Sequence, residues 1–259
     1  MNYKLFRNIF SVLVILLIAA VFGVFSINHA LAESRPNVYG LISDIHACKE
    51  KIRTTGGYSA VYPRQALAKF QKALNEMKDK VDFVIVLGDS VNRGNAAYAQ
   101  KVKDIADASG MPIIWVKGNH DRKTFGIFSQ QDYYYKDING QRIIVLDNVE
   151  QHGNTIGSID DAQLAWFKSV IQDNSIVVAH VPFFDKNLNV IPRYQVIVDL
   201  INQTDSNAYF GHWHVAWKKD NFEGIPALTN SSYFIRSADT DLPNNIWVIP
   251  KKHSGAKVM

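Results

Sequence analysis

Val81-Asp82-Phe83-Val84-Ile85-Val86-Leu87-Gly88-Asp89-Ser90-Val91-Asn92-Arg93-Gly94 is the stretch on which the reading of this chain turns. Its first seven residues are almost continuously apolar, as expected of a strand covered on both faces. The run stops abruptly at Gly-Asp, so a carboxylate is delivered where the strand ends. Working outward, Asn37 to Ile42 reads as a second strand. Arg64 to Lys80 carries Leu67, Phe70, Leu74 and Met77 at the spacing of an amphipathic helix. Downstream, Ala96 to Ser109 reads as a helix ended by Gly110, and Pro112 to Val116 as a strand. Asn139-Gly140 joins strands at Tyr133 to Ile138 and Gln141 to Leu146, the composition of a tight hairpin. A helix over Asp160 to Gln172 with Asp160 as N-cap, a strand at Ile176 to Ala179, a helix over Ile191 to Asn202 and a strand at Ala208 to Phe210 follow. From Val215 to Pro250 only short strand-like pieces remain (VAWKK, IPALT, YFIRS, IWVIP). Strands alternating with helices, then a run of strands, predict an α/β domain with mixed sheets packed in layers.

Composition bounds the chemistry. The chain has 259 residues, 47% hydrophobic and 20% charged, which is an ordinary globular balance. The single Cys48 excludes an intramolecular disulfide framework, a multi-Cys zinc ribbon and an iron-sulfur site, so any metal must be held by His and carboxylates. The basic residues, 28 Lys and Arg against 24 Asp and Glu, are scattered, and no nucleic-acid footprint is visible.

The skewed region is N-terminal. From Ile9 to Ile27, nineteen residues run without a charge, preceded by Lys4 and Arg7 and followed by Ala30-Leu31-Ala32. The flanking charges place the N-terminus in the cytoplasm and everything after the apolar run across the membrane. Residues 1–32 therefore read as a signal peptide cleaved after Ala32 or as a retained membrane anchor, and residues 33–259 as one domain. The expected location is periplasmic or extracellular, with membrane association through residues 9–27 if the leader is retained.

Five polar segments close the predicted strands: Ser43-Asp44-Ile45-His46, Gly88 to Gly94, Gly118-Asn119-His120-Asp121, His180, and Gly211-His212-Trp213-His214. In open α/β sheets functional groups gather beyond the carboxyl ends of strands, so all five can share one cleft. Residues two apart on extended backbone point the same way, which would aim Asp44 with His46, and His212 with His214, at a common point. Of the seven histidines after residue 32, five lie in these segments. Imidazoles and carboxylates are costly to bury unpaired, and a metal site is what requires them side by side.

In that order, D-x-H, G-D-x-x-N, G-N-H-D, a single His and G-H-x-H resemble the motifs of the calcineurin-like metallophosphoesterases, over residues 38 to about 235. The resemblance implies a four-layer αββα sandwich with two metal ions at the sheet ends. It implies Asp44, His46 and His214 on one ion, Asn119, His180 and His212 on the other, and Asp89 bridging them. His120 would face the leaving group, with Asp121 orienting it. Mn, Fe, Zn or Co all suit such ligands.

Two cations about 3.5 to 4 Å apart can clamp phosphoryl oxygens and lower the pKa of a bridging water from near 16 toward about 7, giving hydroxide at neutral pH. A nearby imidazole can then give a proton or hydrogen bond to the departing oxygen. The implied activity is hydrolysis of a small phosphoester, either a diester or a monoester. The alternative is a non-catalytic adaptor of the same fold, which would show motif positions replaced by non-ligands; none is.

Within the family, Gly88 to Asn92 lacks the Tyr of the purple acid phosphatases. Ala47 and Asp121 depart from the Ser/Thr protein phosphatase pattern, which Asn92-Arg93-Gly94 otherwise resembles. Val145 to Asn148, Gly157 and Asp161 to Phe167 are similar to the class III cyclic-nucleotide phosphodiesterase-like branch. Tyr58, Tyr62 and Arg64, in and beside the polar loop after the first ligand pair, are candidate substrate contacts, and Arg93 is a candidate to grip a phosphate oxygen. Tyr133-Tyr134-Tyr135 reads as alternating sheet residues rather than a base-stacking platform.

Overall fold

The computed structural model describes residues 37–49, 62–149, 157–229, 234–237 and 246–247. The predicted leader, residues 1–32, and Tyr58 lie outside them. Among the described residues no helix is long and apolar enough to cross a membrane.

Two mixed sheets form the centre. The first has the order β11-β10-β1-β2-β3 and the second β4-β5-β6-β7-β9-β8. In the first, β1 (Val38–Ile42), β2 (Phe83–Val86) and β3 (Ile113–Trp115) run parallel, while β10 (Phe234–Ser237) and β11 (Ile246–Trp247) add antiparallel. In the second, β5 (Gln141–Val145), β6 (Ile176–Ala179), β7 (Asn207–Phe210) and β9 (Phe222–Gly224) are parallel. β4 (Tyr134–Ile138) and β8 (Trp217–Lys219) close that sheet antiparallel at its two edges.

Side-chain alternation turns these sheets into layers. Tyr39, Leu41, Phe83, Ile85 and Val116 face Ile143, Val145, Ile176, Val178 and Tyr209 across an apolar seam between the sheets. The opposite face of the first sheet, with Ile42, Val84 and Val86, packs on α1 (Pro63–Met77) and α2 (Ala96–Ser109) through Phe70, Leu74, Met77 and Val102. The outer face of the second, with Ile144, Val177 and Phe210, packs on α3 (Asp161–Val170) and α4 (Gln195–Gln203) through Phe167, Ile197 and Ile201. This is the four-layer αββα sandwich. β2 and β6, central in their sheets, are buried on both faces, which is why they read as apolar runs rather than alternations.

The local signals carry over with small shifts. Pro63 opens α1, where its missing N–H costs nothing, and Asp160 caps α3 by accepting the Gln163 N–H at 2.7 Å. Asn139 and Gly140 take φ of +47° and +77° in the β4–β5 turn. The helix predicted from Ile191 begins instead as a 3₁₀ turn, Pro192–Tyr194. Ile225 to Thr229 is not a strand; Pro226 removes a ladder donor there, and the preceding Phe222–Gly224 forms β9 instead. Beyond β9, the Ile225 N–H reaches the Phe210 carbonyl (2.7 Å) and the Leu228 N–H the Ser43 carbonyl (2.8 Å), tying the segment across both sheets.

Candidate metal centre

All five polar segments meet at the carboxyl ends of the strands, over the seam. The loop after β1 lies along the loop after β2: the N–H groups of Asp44, His46 and Ala47 donate to the carbonyls of Gly88, Asp89 and Ser90 at 3.2, 2.8 and 3.1 Å. The second sheet joins them through His212, whose N–H donates to Asp44 Oδ2 at 3.0 Å, and through His180, whose Nδ1 lies 2.7 Å from the Leu87 carbonyl oxygen.

The convergence of Asp44 with His46, and of His212 with His214, does not come from extended backbone. Asp44, His46, Asp89, His212 and His214 have φ of +50°, +50°, +49°, +68° and +59°, in the left-handed region that non-glycine residues avoid. Such strain is tolerated where the surroundings over-determine it. Here the hydrogen bonds between loops do so, and they turn successive polar side chains inward from the strand ends.

Asp44, His46, Asp89 and His214 each offer a ligand atom, all within 4.8 Å of one another, and all four residues are buried. His46 Nε2 lies 3.1 Å from His214 Nε2 and 3.5 Å from Asp89 Oδ2, and His214 Nε2 lies 3.3 Å from Asp44 Oδ1. A second group sits alongside. Asn119 Oδ1 is 3.1 Å from His180 Nε2 and 3.0 Å from His212 Nδ1, and His180 Nε2 is 3.4 Å from Asp89 Oδ2. One carboxylate oxygen, Asp89 Oδ2, therefore lies between the two imidazole groups.

These residues fit metal ions on the chemistry of the donor set. Two buried carboxylates face imidazoles, a hydroxyl and backbone N–H groups, with no Lys or Arg among these partners, and buried carboxylates need a cation. His180, with Nδ1 committed to a carbonyl, has only a lone pair to offer at Nε2 in its neutral form, yet Nε2 faces two oxygen acceptors. The field of the site agrees. Burial works against the His180 imidazolium, but Asp89 and Asp44 push its pKa up to about 10, the response of a proton held where positive charge is wanted. Burial likewise opposes ionisation of Asp44 and Asp89, yet His214 beside Asp44 and His180 beside Asp89 hold both carboxyls below their usual range. Burial and the neighbouring His180 bring His212 down to about 4, which leaves its ring neutral.

His120 stands apart. Its side chain is 19% exposed and its Nε2 is 4.0 Å from Asp89 Oδ2. The Arg93 N–H donates to its Nδ1 at 3.3 Å, so the neutral ring carries its proton on Nε2, toward the centre. The sequence reading assigns Asp121 to orient this ring. The fully buried Asp121 carboxylate accepts the N–H groups of Ser90 (3.1 Å), Val91 (3.0 Å) and Gly118 (3.2 Å). It is the anchor of the Asp89 loop. Burial, reinforced by the negative charge of Asp89, raises its pKa to about 7.

Close packing demands glycine here. A Cβ on Gly118 would stand 2.0 Å from the Asp89 nitrogen, and one on Gly211 2.3 Å from Ser43 Oγ. Ser43, whose hydroxyl donates to Asp44 Oδ2, and the Leu87 carbonyl are participants the sequence reading missed. Ser43 was open to detection as the neighbour of a ligand, whereas a backbone carbonyl leaves no mark on side-chain composition. Arg64 and Tyr62 are exposed at the start of α1, and the Tyr62 N–H donates to Thr229 Oγ1 at 3.0 Å. Tyr133, Tyr134, Tyr135 and Trp166 line a separate cleft of about 570 Å3 along β4.

Residues 39–216 match the calcineurin-like phosphoesterase family, and the chain belongs to that family. It is a metal-dependent phosphoesterase. Over 226 residues it is 28% identical to a cAMP/cGMP dual specificity phosphodiesterase from Mycobacterium tuberculosis, covering 78% of this chain and 70% of that protein. Over 112 residues it is 27% identical to the glycerophosphodiester phosphodiesterase GpdQ of Enterobacter lignolyticus, covering 39% of this chain and 40% of the relative. The fold is similar to that of a dimetal phosphatase from Danio rerio, with a TM-score of 0.65 at 14% identity over 78% of this chain and 92% of that one.

Proposed function

We propose that the chain hydrolyses phosphodiesters at a centre of two metal ions, one held by Asp44, His46 and His214, the other by Asn119, His180 and His212, with Asp89 shared. The observation that carries this reading is the position of Asp89 Oδ2, 3.5 Å from His46 Nε2 and 3.4 Å from His180 Nε2. When bound, the ions supply positive charge for the phosphoryl oxygens and acidify the attacking water. The protein's own groups do the rest. The Leu87 carbonyl holds the His180 ring by Nδ1 and so directs Nε2 inward, Asp121 fixes the loop carrying Asp89, and the Nε2–H of His120 donates to the departing oxygen. Two curated relatives, both phosphodiesterases by name, support a diester over a monoester.

The test is metal analysis with activity on bis(4-nitrophenyl) phosphate and 4-nitrophenyl phosphate, before and after chelation and reloading with Mn, Fe, Zn or Co. Two ions per chain and faster turnover of the diester are expected, with Asp89→Asn weakening both sites. One ion in fully active protein, unchanged by Asp89→Asn, overturns the reading. We also propose that the domain lies outside the cytoplasmic membrane, on the strength of Lys4, Arg7 and the uncharged run from Ile9 to Ile27. Protease added to spheroplasts should degrade it, and protection equal to that of a cytosolic marker refutes export.

A further inference from the structure

Beside His120 the centre opens into a cleft of about 250 Å3, lined by Arg93, Gly94, Asn119, His120, Arg122 and Lys123. Arg93, Arg122 and Lys123 carry positive charge there, and no lining residue is acidic. Several other surface cations have an acidic partner: Lys103 has Asp107, Arg142 has Asp137 and Lys218 has Glu223. Among the described residues neither the Arg93 guanidinium nor the Lys123 ammonium is in an ion pair.

The wall is built, not accidental in its placing. The Arg93 N–H holds His120 Nδ1, a Cβ on Gly94 would meet Lys123 Cβ at 3.1 Å, and Arg122 Nε donates to the Asn119 carbonyl at 3.1 Å. Arg93, on the loop after β2, is thus tied to the loop after β3, which bears Asn119, His120, Arg122 and Lys123. Whatever departs past His120 enters a space of one sign of charge. Its volume is that of about eight waters in the liquid, room for a small group rather than a polymer.

We propose that this cleft is the leaving-group subsite, and that Arg93 and Lys123 select esters whose leaving group is itself anionic, carrying a carboxylate or a second phosphate. The inference rests on the phosphoesterase reading and narrows its substrate class. In the reaction the P–O bond to the leaving group breaks as a water oxygen bonds to phosphorus, and the water's protons pass to the departing oxygen and to solvent. A fixed cationic wall attracts the anionic product alcohol and repels cationic ones. Arg93 and Lys123 are exposed, so each is worth a factor of about 2 to 5, as solvent-screened charge pairs are.

The experiment uses the full chain loaded with Mn and two methyl phosphodiesters, of 4-nitrophenol and of 5-hydroxy-2-nitrobenzoate, which differ by one carboxylate. Wild type should prefer the carboxylated ester in kcat/KM. That preference should fall about 2- to 5-fold in Lys123→Gln, which keeps the stem against Gly94, and in Arg93→Gln. It should fall further in Lys123→Glu and shrink with added NaCl. Calorimetry of the free product 5-hydroxy-2-nitrobenzoate should show its affinity falling by a similar factor in the same variants. An equal ester ratio and equal product affinity in wild type and all three variants overturn the subsite. If no preparation hydrolyses either ester, the phosphoesterase reading fails by itself, and product affinity across the variants still decides the subsite.

Discussion

His180 is hydrogen-bonded through Nδ1 to the carbonyl oxygen of Leu87 at 2.7 Å, and the bond crosses from the end of β6 in one sheet to the end of β2 in the other. A candidate ligand of the metal centre is therefore also a clasp between the two sheets. Replacing it leaves a buried carbonyl without its donor, a loss of about 1 to 3 kcal/mol. His180→Ala should be less stable than wild type by that amount in denaturant unfolding even with chelator present, where metal contributes nothing. Equal stability of the two chelated proteins means that the seam bond carries no weight.

The Asp121 carboxylate is expected to act on the loop rather than on the imidazole beside it. Asp121→Asn puts an NH2 where backbone N–H groups now point, so it should lower stability by about 1 to 3 kcal/mol and weaken metal binding. Its rate loss should be the same for esters of good and poor leaving groups, because the whole loop moves. A loss that tracks leaving-group pKa in the manner of His120 would restore the role the sequence assigned it.

His120→Ala should keep its metals while kcat falls by roughly 10² to 10⁴, the usual worth of a positioned proton donor. A 4-nitrophenolate ester departs readily without help and should lose less than an alkyl ester. Equal losses on both, or a variant shed of metal, remove His120 from the leaving-group side.

Gly118→Ala offers the sharpest contrast in packing. Its Cβ would fall 2.0 Å from the Asp89 nitrogen and 2.2 Å from Asp89 Oδ1, displacing the shared carboxylate. A Cβ on Gly126 meets nothing within 4 Å. Metal content by mass spectrometry should fall in Gly118→Ala and stay at the wild-type value in Gly126→Ala; an unchanged value in the first shows that the loop gives way easily.

Much of this protein was legible one residue at a time. Apolar runs such as Phe83 to Val86, the Asp160 cap and the Asn139-Gly140 turn are local instructions, each obeyed because backbone sterics and short-range hydrogen bonds act within a few residues. The five polar segments could be named from order and spacing, and so could their position at strand ends. How they converge could not be read in the same way. Alternation along extended backbone is the wrong account of Asp44 with His46, because both are left-handed, and that conformation is imposed by hydrogen bonds to a loop more than forty positions away. Likewise Asp121 sits beside His120 in the chain but spends its carboxylate on Ser90, Val91 and Gly118, partners chosen by burial. Order and spacing along the chain fix which chemical groups are present and which strand each one ends. Which oxygen faces which nitrogen is a tertiary matter, because those distances arise from two sheets meeting over a shared apolar seam, and nothing local to either strand specifies that meeting.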